Sequence, residues 1–322
     1  MESKYLKQRL IHNEKKGGEV PPFVFRERGS QMEWIQQLVN GISVGSIYAL
    51  IALGYTMVYG IIKLINFAHG DVFMVGSFIG FYSITVLDFG FFPALILSMT
   101  ACAIFGVLIE RIAYRRLRNA TRIAALITAI GVSLLIEYGV IYIRGAQAAA
   151  YPTIFENRSI DLFGIQISMQ ALIILTIALI LMVLLQFIVH KTKTGKAMRA
   201  VSHDMEAARL MGINVDNTIS ATFAIGSALA GAAGVIFGIY YTKIDPLMGV
   251  IPGVKAFVAA VLGGIGIIPG AMVGGLLLGV IESIVSALGF SLWRDAAAFV
   301  ILILILIFRP SGIFGKNTRE KV

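Results

Sequence analysis

The chain has 322 residues, 57% of them hydrophobic and 14% charged, with a mean hydropathy of +0.84 and a formal net charge of +9. Soluble domains are about half apolar and about a quarter charged, so this composition describes a polytopic membrane protein and excludes an ordinary soluble domain. Lys and Arg crowd the N-terminal tail and two inter-segment loops, the pattern of cytoplasmic faces rather than of nucleic-acid binding.

Residues 1–33 are polar, with Gly17-Gly18 and Pro21-Pro22 and no apolar core of signal-peptide type, and read as a flexible cytoplasmic tail. A single cysteine, Cys102, can form no intrachain disulfide. From Trp34 the chain becomes a series of apolar segments, and about 20 such residues cross the hydrocarbon core as a helix. Candidates are Trp34–Ile62, Val72–Leu87, Phe92–Tyr114, Ile123–Ile143, Met169–His190, Thr218–Tyr241, Gly270–Leu288 and Arg294–Phe308. Val72–Leu87 and Arg294–Phe308 are marginal in length, and Val254–Leu262 is too short to cross alone. The fold class is therefore all-α: a polytopic transmembrane bundle of about eight spans with short broken or re-entrant helices, covering residues 34–315, followed by a cytoplasmic tail at 316–322.

Orientation follows from the basic loops. Arg111, Arg115, Arg116, Arg118 and Arg122 form one cluster, and Lys191, Lys193, Lys196, Arg199 and Arg209 form another, so both loops are expected inside. The loop Arg144–Ser168 is then external. A cytoplasmic N-terminal tail requires an even number of crossings before Arg115, whereas three segments precede it. Either Trp34–Ile62 is bent into two pieces near Gly54 or the tail lies outside; the bend fits better with the interruptions seen elsewhere.

Two interruptions stand out, Asn66–Asp71 and Gly263–Gly270. Paired breaks in corresponding places point to a transport pathway built on an internal repeat. Polar side chains at membrane depth are costly unless they face protein or water, which makes Asn66, Phe67, His69, Gly70 and Asp71 candidate pathway residues, with Gly263, Gly264, Gly266 and Pro269 as the second set. A structural reading stands beside this one: Asn66 caps the next helix, Asp71 complements its dipole, and His69 hydrogen-bonds a loop carbonyl. His69 has no Cys, His or carboxylate cluster around it in sequence and is not read as a metal ligand. The Gly-rich break lacks the GxxxxGK[ST] pattern of a phosphate loop. Gly226, Ala230 and Gly234, like Ala271, Gly275 and Gly279, are spaced for close helix packing. Glu137 and Glu282 are candidates for ion coupling, and a snorkelling geometry or one interhelical hydrogen bond explains each equally well. An ion-coupled carrier would show several carboxylates converging, and no arrangement of nucleophile and base suggests catalysis.

The segment Gly195–Gly212, GKAMRAVSHDMEAARLMG, is a basic, helix-forming island between two long apolar segments. Within it Glu206-Ala207-Ala208 precedes Gly212 by the spacing of the EAA motif of ABC-importer permeases, though no Leu-Pro pair follows. Small residues let such a helix enter a groove, and Gly212 can end it.

Taken together, several stretches resemble the LivH-type permeases of branched-chain amino-acid ABC transporters. They are Gly41–Leu50, Gly54-Tyr55-Thr56-Met57-Val58-Tyr59-Gly60, Ile65–Asp71, Gly195–Ala200, Leu210–Asn214, Lys255-Ala256-Phe257, Ala260–Gly266 with Pro269-Gly270-Ala271, and Arg309–Gly315. The resemblance covers Ile35 to Gly315. It implies a bacterial or archaeal inner-membrane importer with two different permease subunits, two cytoplasmic ATPases and an extracytoplasmic binding protein. It further implies that ATP and Mg bind the ATPases and no cofactor binds this chain. Gly195, Lys196, Arg199, Glu206, Ala207, Ala208 and Gly212 would belong to the cytoplasmic coupling helix. Leu, Ile and Val are the implied cargo; urea or short-amide permeases, and an ion-coupled secondary carrier, are the alternatives.

Overall fold

The computed structural model describes residues 31–118, 120–155, 159–162 and 165–315. The tail reading for residues 1–33 thus falls outside these residues up to Ser30, as does that for 316–322. Among the described residues eleven α-helices dominate: α1 (Gln31–Ile62), α2 (His69–Thr85), α3 (Phe91–Ile109), α4 (Arg122–Arg144), α5 (Met169–Lys191), α6 (Lys193–His203), α7 (Met205–Leu210), α8 (Val215–Tyr241), α9 (Val250–Gly263), α10 (Ile268–Ala287) and α11 (Arg294–Phe308). Helix α3 continues through a π-helical turn, Glu110–Tyr114, and a 3-10 turn, Arg115–Leu117. Short strands β1 (Ala149–Ala150), β2 (Ser159–Leu162), β3 (Ile165–Ser168) and β4 (Lys243–Ile244) form two antiparallel pairs, β1 with β4 and β2 with β3.

Seven helical segments among the described residues are long and apolar enough to cross a membrane. The eighth sequence segment, Val72–Leu87, falls on α2, which has 17 residues, and α9 has 14. At 1.5 Å per residue these two helices span about 25 and 21 Å, less than the ~30 Å hydrocarbon core. Each starts inside the bundle.

Helix α1 is unbroken over 32 residues, so the expected bend near Gly54 does not occur. Gly54 serves a packing need instead: a Cβ there would lie 2.2 Å from His69 Nε2 and 3.0 Å from the Gly226 carbonyl oxygen. The missing side chain seats the His69 ring and lets α8 cross. Near its C-terminal end α1 shares a cavity with Met198, Arg199 and Ser202 of the basic island, while Gln37 near its start accepts a hydrogen bond from Ser283 Oγ late in α10. With the island inside, α1 begins on the external face.

Small residues hold the centre together. A methyl at Gly275 would lie 2.5 Å from Ala49 Cα, and one at Gly279 would lie 2.3 Å from the Gly45 nitrogen, so α1 and α10 touch backbone to backbone. Gly234 of α8 would clash with the Phe73 carbonyl of α2 at 2.2 Å, and Gly231 sits on Ser98 and Cys102 of α3. The packing role expected for Gly226, Gly234, Gly275 and Gly279 is what these contacts show. Peripheral helices α4, α5 and α11 expose apolar side chains such as Leu135, Ile143, Phe187 and Ile307.

Candidate functional site

Two chain reversals build the site. After α1, Lys63 adopts φ 55°, and residues 64–68 lead back into the bundle to start α2. After α8, Thr242 adopts φ 54°, and residues 243–249 lead inward to start α9. Left-handed conformations are uncommon outside glycine, so tertiary structure rather than local preference fixes both reversals. The two helix starts meet: a Cβ on Gly70 would lie 2.5 Å from the Gly249 carbonyl oxygen and 3.2 Å from Gly253 Cα. Neither start carries a side-chain cap.

Beside this meeting point lies a cavity of about 150 Å³ lined by Tyr55, Phe67, Gly70, Asp71, Ser133, Glu137, Gly249, Gly253 and Phe257, among others. Ser133 donates to Asp71 Oδ2 at 2.5 Å from half-way along α4, a spanning helix, which places the cavity near the membrane centre. Glu137, one turn further along α4, faces the Asp71 carboxyl group. Tyr55 and Phe257 rings, with centroids 6.1 Å apart, and Phe67, 6.4 Å from Phe257, make an apolar wall. A larger opening of about 530 Å³ lies toward the Arg122 end of α4, between Tyr59, Lys63, Ile65 and Leu126.

Of the pathway residues read from sequence, Phe67, Gly70 and Asp71 line this cavity. Asn66 and His69 stand behind it. Asn66 does not cap α2, whose cap position is Ala68; its Oδ1 accepts from the buried Tyr114 hydroxyl at 2.8 Å. His69 packs edge-on against Tyr55 with centroids 4.8 Å apart. Gly263, Gly264, Gly266 and Pro269 are elsewhere. They form the tight turn between α9 and α10, where a Cβ on Gly263 would meet the Gly270 oxygen at 1.9 Å and where Gly264 and Gly266 have φ of 107° and 92°. Phe314 and Ile313 hydrogen-bond to Gly263 and Leu262 carbonyls there. The counterpart of Asn66–Asp71 is therefore Lys243–Gly249, not the glycine-rich break. Sequence reading missed Ser133 and Glu137 as partners of Asp71, and a short, polar Asp245-Pro246 turn gave little sign of an inward-running segment.

The basic island is two helices rather than one. Asp204 accepts from the Glu206 and Ala207 amides, both at 2.9 Å, capping α7 and breaking it from α6. Gly195 allows α6 to fold under α5, since a Cβ would meet the Val189 oxygen at 2.2 Å, and Arg199 donates to that same carbonyl. Beyond α7, Ile213 N bonds to Ala208 O and Gly212 N to Arg209 O, both at 3.0 Å, with Gly212 at φ 84°. This is a Schellman ending, which needs the left-handed residue that Gly212 supplies. Ala208 is buried; Lys196, Glu206 and Ala207 are exposed, and so are Leu210 (89%) and Met211 (82%), neither singled out by the motif. Directly after the island, Asp216 pairs with Arg115 and, at 2.5 Å, with Arg118, which also pairs with the buried Glu110. Ser220 Oγ donates to Glu110 at 2.6 Å. The start of α8 is thereby locked to the end of α3. Lys255, in turn, pairs with Glu282 at 2.8 Å and Asp295 at 2.6 Å, so Glu282 has an ionic partner and not only its hydrogen bond from Tyr48.

A family model described as "Branched-chain amino acid transport system / permease component" matches residues 37–308. The chain is 45% identical over 301 residues to the high-affinity branched-chain amino acid transport system permease protein BraD of Pseudomonas aeruginosa, covering 90% of this chain and 98% of that one. It is 42% identical over 305 residues to LivH of Escherichia coli, with the same coverage. It is 30% identical to a probable branched-chain amino acid transport permease protein LivH of Methanocaldococcus jannaschii, covering 88% and 93% of the two chains. No solved structure matches the chain. With seven apolar helices long enough to span a membrane, and matches along almost its whole length, the chain is a multi-pass inner-membrane protein belonging to the permease family of branched-chain amino-acid ABC transporters.

Proposed function

We propose that this chain is the membrane-spanning subunit of an ATP-driven importer for leucine, isoleucine and valine. It works beside a second, homologous permease subunit, two cytoplasmic ATPases that bind ATP and Mg, and an extracytoplasmic binding protein that delivers the amino acid. The chain itself hydrolyses nothing.

The observation that carries this reading is the α6–α7 elbow. Its inner face, Gly195, Met198, Val201 and Ala208, is buried on the membrane domain, while Leu210 and Met211 stand almost bare beside Glu206 and Arg209. Two neighbouring, fully presented apolar side chains on a charged elbow suit insertion into a partner's groove. Movement of the elbow would reach α8 through Gly212 and Asn214, and α3 through Asp216 and its arginines. Leu210→Asp with Met211→Asp is expected to reduce ATPase recovered with the purified chain at least tenfold, with insertion into the membrane unchanged. Undiminished copurification would remove the elbow as the docking element.

A secondary carrier has one observation in its favour: Asp71 and Glu137 do converge at membrane depth, as an ion-coupled site would. Transport by the purified chain without ATP separates that reading from the first.

A further inference from the structure

Asp71 and Glu137 present an electrostatic problem. Two carboxyl groups from different helices meet near the bilayer centre, and the described residues offer them little: Asp71 accepts one side-chain hydrogen bond, from Ser133, and Glu137, which is only 8% exposed, has the Asp71 carboxyl group itself as its hydrogen-bonding neighbour. An unsatisfied polar group in such surroundings costs several kcal/mol. Elsewhere in this chain buried carboxylates have cationic partners, Glu110 with Arg118 and Glu282 with Lys255. The Asp71–Glu137 pair faces a cavity and, among the described residues, has no cationic partner.

The start of α9 adjoins the same cavity beside Asp71, where a Cβ on Gly249 would lie 3.3 Å from the Asp71 nitrogen, and it has the complementary character. Gly249, Val250 and Gly253 bring the N-terminal end of α9 to it, without a side-chain cap and with no acidic residue in the first turn. Such an end carries positive partial charge, although Val250 N donates to Leu247 O and Pro252 has no N–H. Tyr55, Phe67, Ile130, Val254 and Phe257 supply apolar surface on the cavity wall. A negative pole, a positive pole and an apolar wall are the recognition elements of a zwitterion with a hydrocarbon side chain.

We propose that this cavity is a way-station for an amino acid in transit: Asp71, Ser133 and Glu137 hold its α-ammonium group, the N-terminus of α9 faces its carboxylate, and the aromatic wall takes its side chain. The assignment rests on the transport reading above and narrows it, because urea and short amides bring no cation to the carboxylates. The ammonium group has three donors, and both carboxyl groups can accept from it at once. Binding here need not be tight, since a transit site has to release its cargo.

The test uses the assembled complex carrying Val254→Cys on the cavity wall, with the parent chain, whose Cys102 is buried, as background. Alkylation by a maleimide is timed with millimolar L-leucine, with the 2-oxo acid of the same carbon skeleton, or with sodium chloride alone. L-Leucine is expected to slow alkylation at least threefold and the oxo acid, lacking the ammonium group, to leave it unchanged. Asp71→Asn with Glu137→Gln should erase the protection, and Glu137→Gln alone serves if the double variant does not assemble. Equal protection by the oxo acid, protection by sodium alone, protection that survives the substitutions, or none by leucine each overturns the proposal. Labelled leucine uptake by the unsubstituted complex is measured in parallel. Uptake without protection removes only the way-station, whereas protection without ATP-dependent uptake removes the importer reading.

Discussion

At Gly54 the absence of one methyl group decides how three helices meet. The His69 ring occupies the space a side chain would need, and the Gly226 backbone of α8 closes in from the other side. Gly54→Ala should therefore destabilise the protein by about 1–3 kcal/mol, the usual cost of overpacking a fitted site. Adding His69→Ala removes the nearer obstacle, so the double variant is expected to lose less than the two single changes together. Detergent unfolding curves for the four proteins in this cycle give the answer; strict additivity would show that Gly54 and His69 do not share the site. The motif around Gly54 is legible in sequence, but its reason is not: glycine in a long apolar helix suggests a bend and a packing contact equally, and only the position of a residue on another element tells them apart.

Among elements, the elbow and the two inward-running helices show what periodicity can and cannot carry. Helix boundaries lie close to those expected because hydropathy marks directly where the chain passes into and out of the membrane. The split of the island at Asp204 has a cap signal, Asp before Met-Glu-Ala-Ala, yet the EAA spacing by itself suggests one helix. The start of α9 is harder to see. Residues 243–249 carry no periodic pattern of their own, and the strand pairing of Ala149 with Ile244 and Ala150 with Lys243 that holds them is long-range. Likewise Asp71 is visible as an oddity, while its facing partners Ser133 and Glu137 lie on a helix that reads as ordinary apolar span. Gly212 offers a test at this scale. Proline there cannot take φ 84° and lacks the amide that bonds Arg209 O, so Gly212→Pro should unseat the junction between α7 and α8. We expect insertion and folding of the bundle to persist while substrate-stimulated ATP hydrolysis by the complex falls at least tenfold; normal stimulation in that variant would detach the elbow from coupling.

On the scale of the whole molecule, α1 and α8 form a rigid centre joined by glycine contacts, and the half-length helices α2 and α9 abut there with their starts at the cavity. The elbow, the Glu110–Arg118–Asp216 network and α8 make one continuous route from the inner face to α2, which packs on α8 next to Asp71. The proposed docking elbow and the proposed cargo site both lie on that route. A lever of this kind needs a partner to push it, so the bundle alone should be inert. The most direct measurement is labelled leucine uptake into proteoliposomes holding this chain with the proposed second permease subunit and ATPases, with binding protein outside. Accumulation that requires enclosed ATP, and disappears when this chain is reconstituted alone, is the predicted result. Accumulation by this chain alone, driven by an ion gradient and indifferent to ATP, would contradict the account.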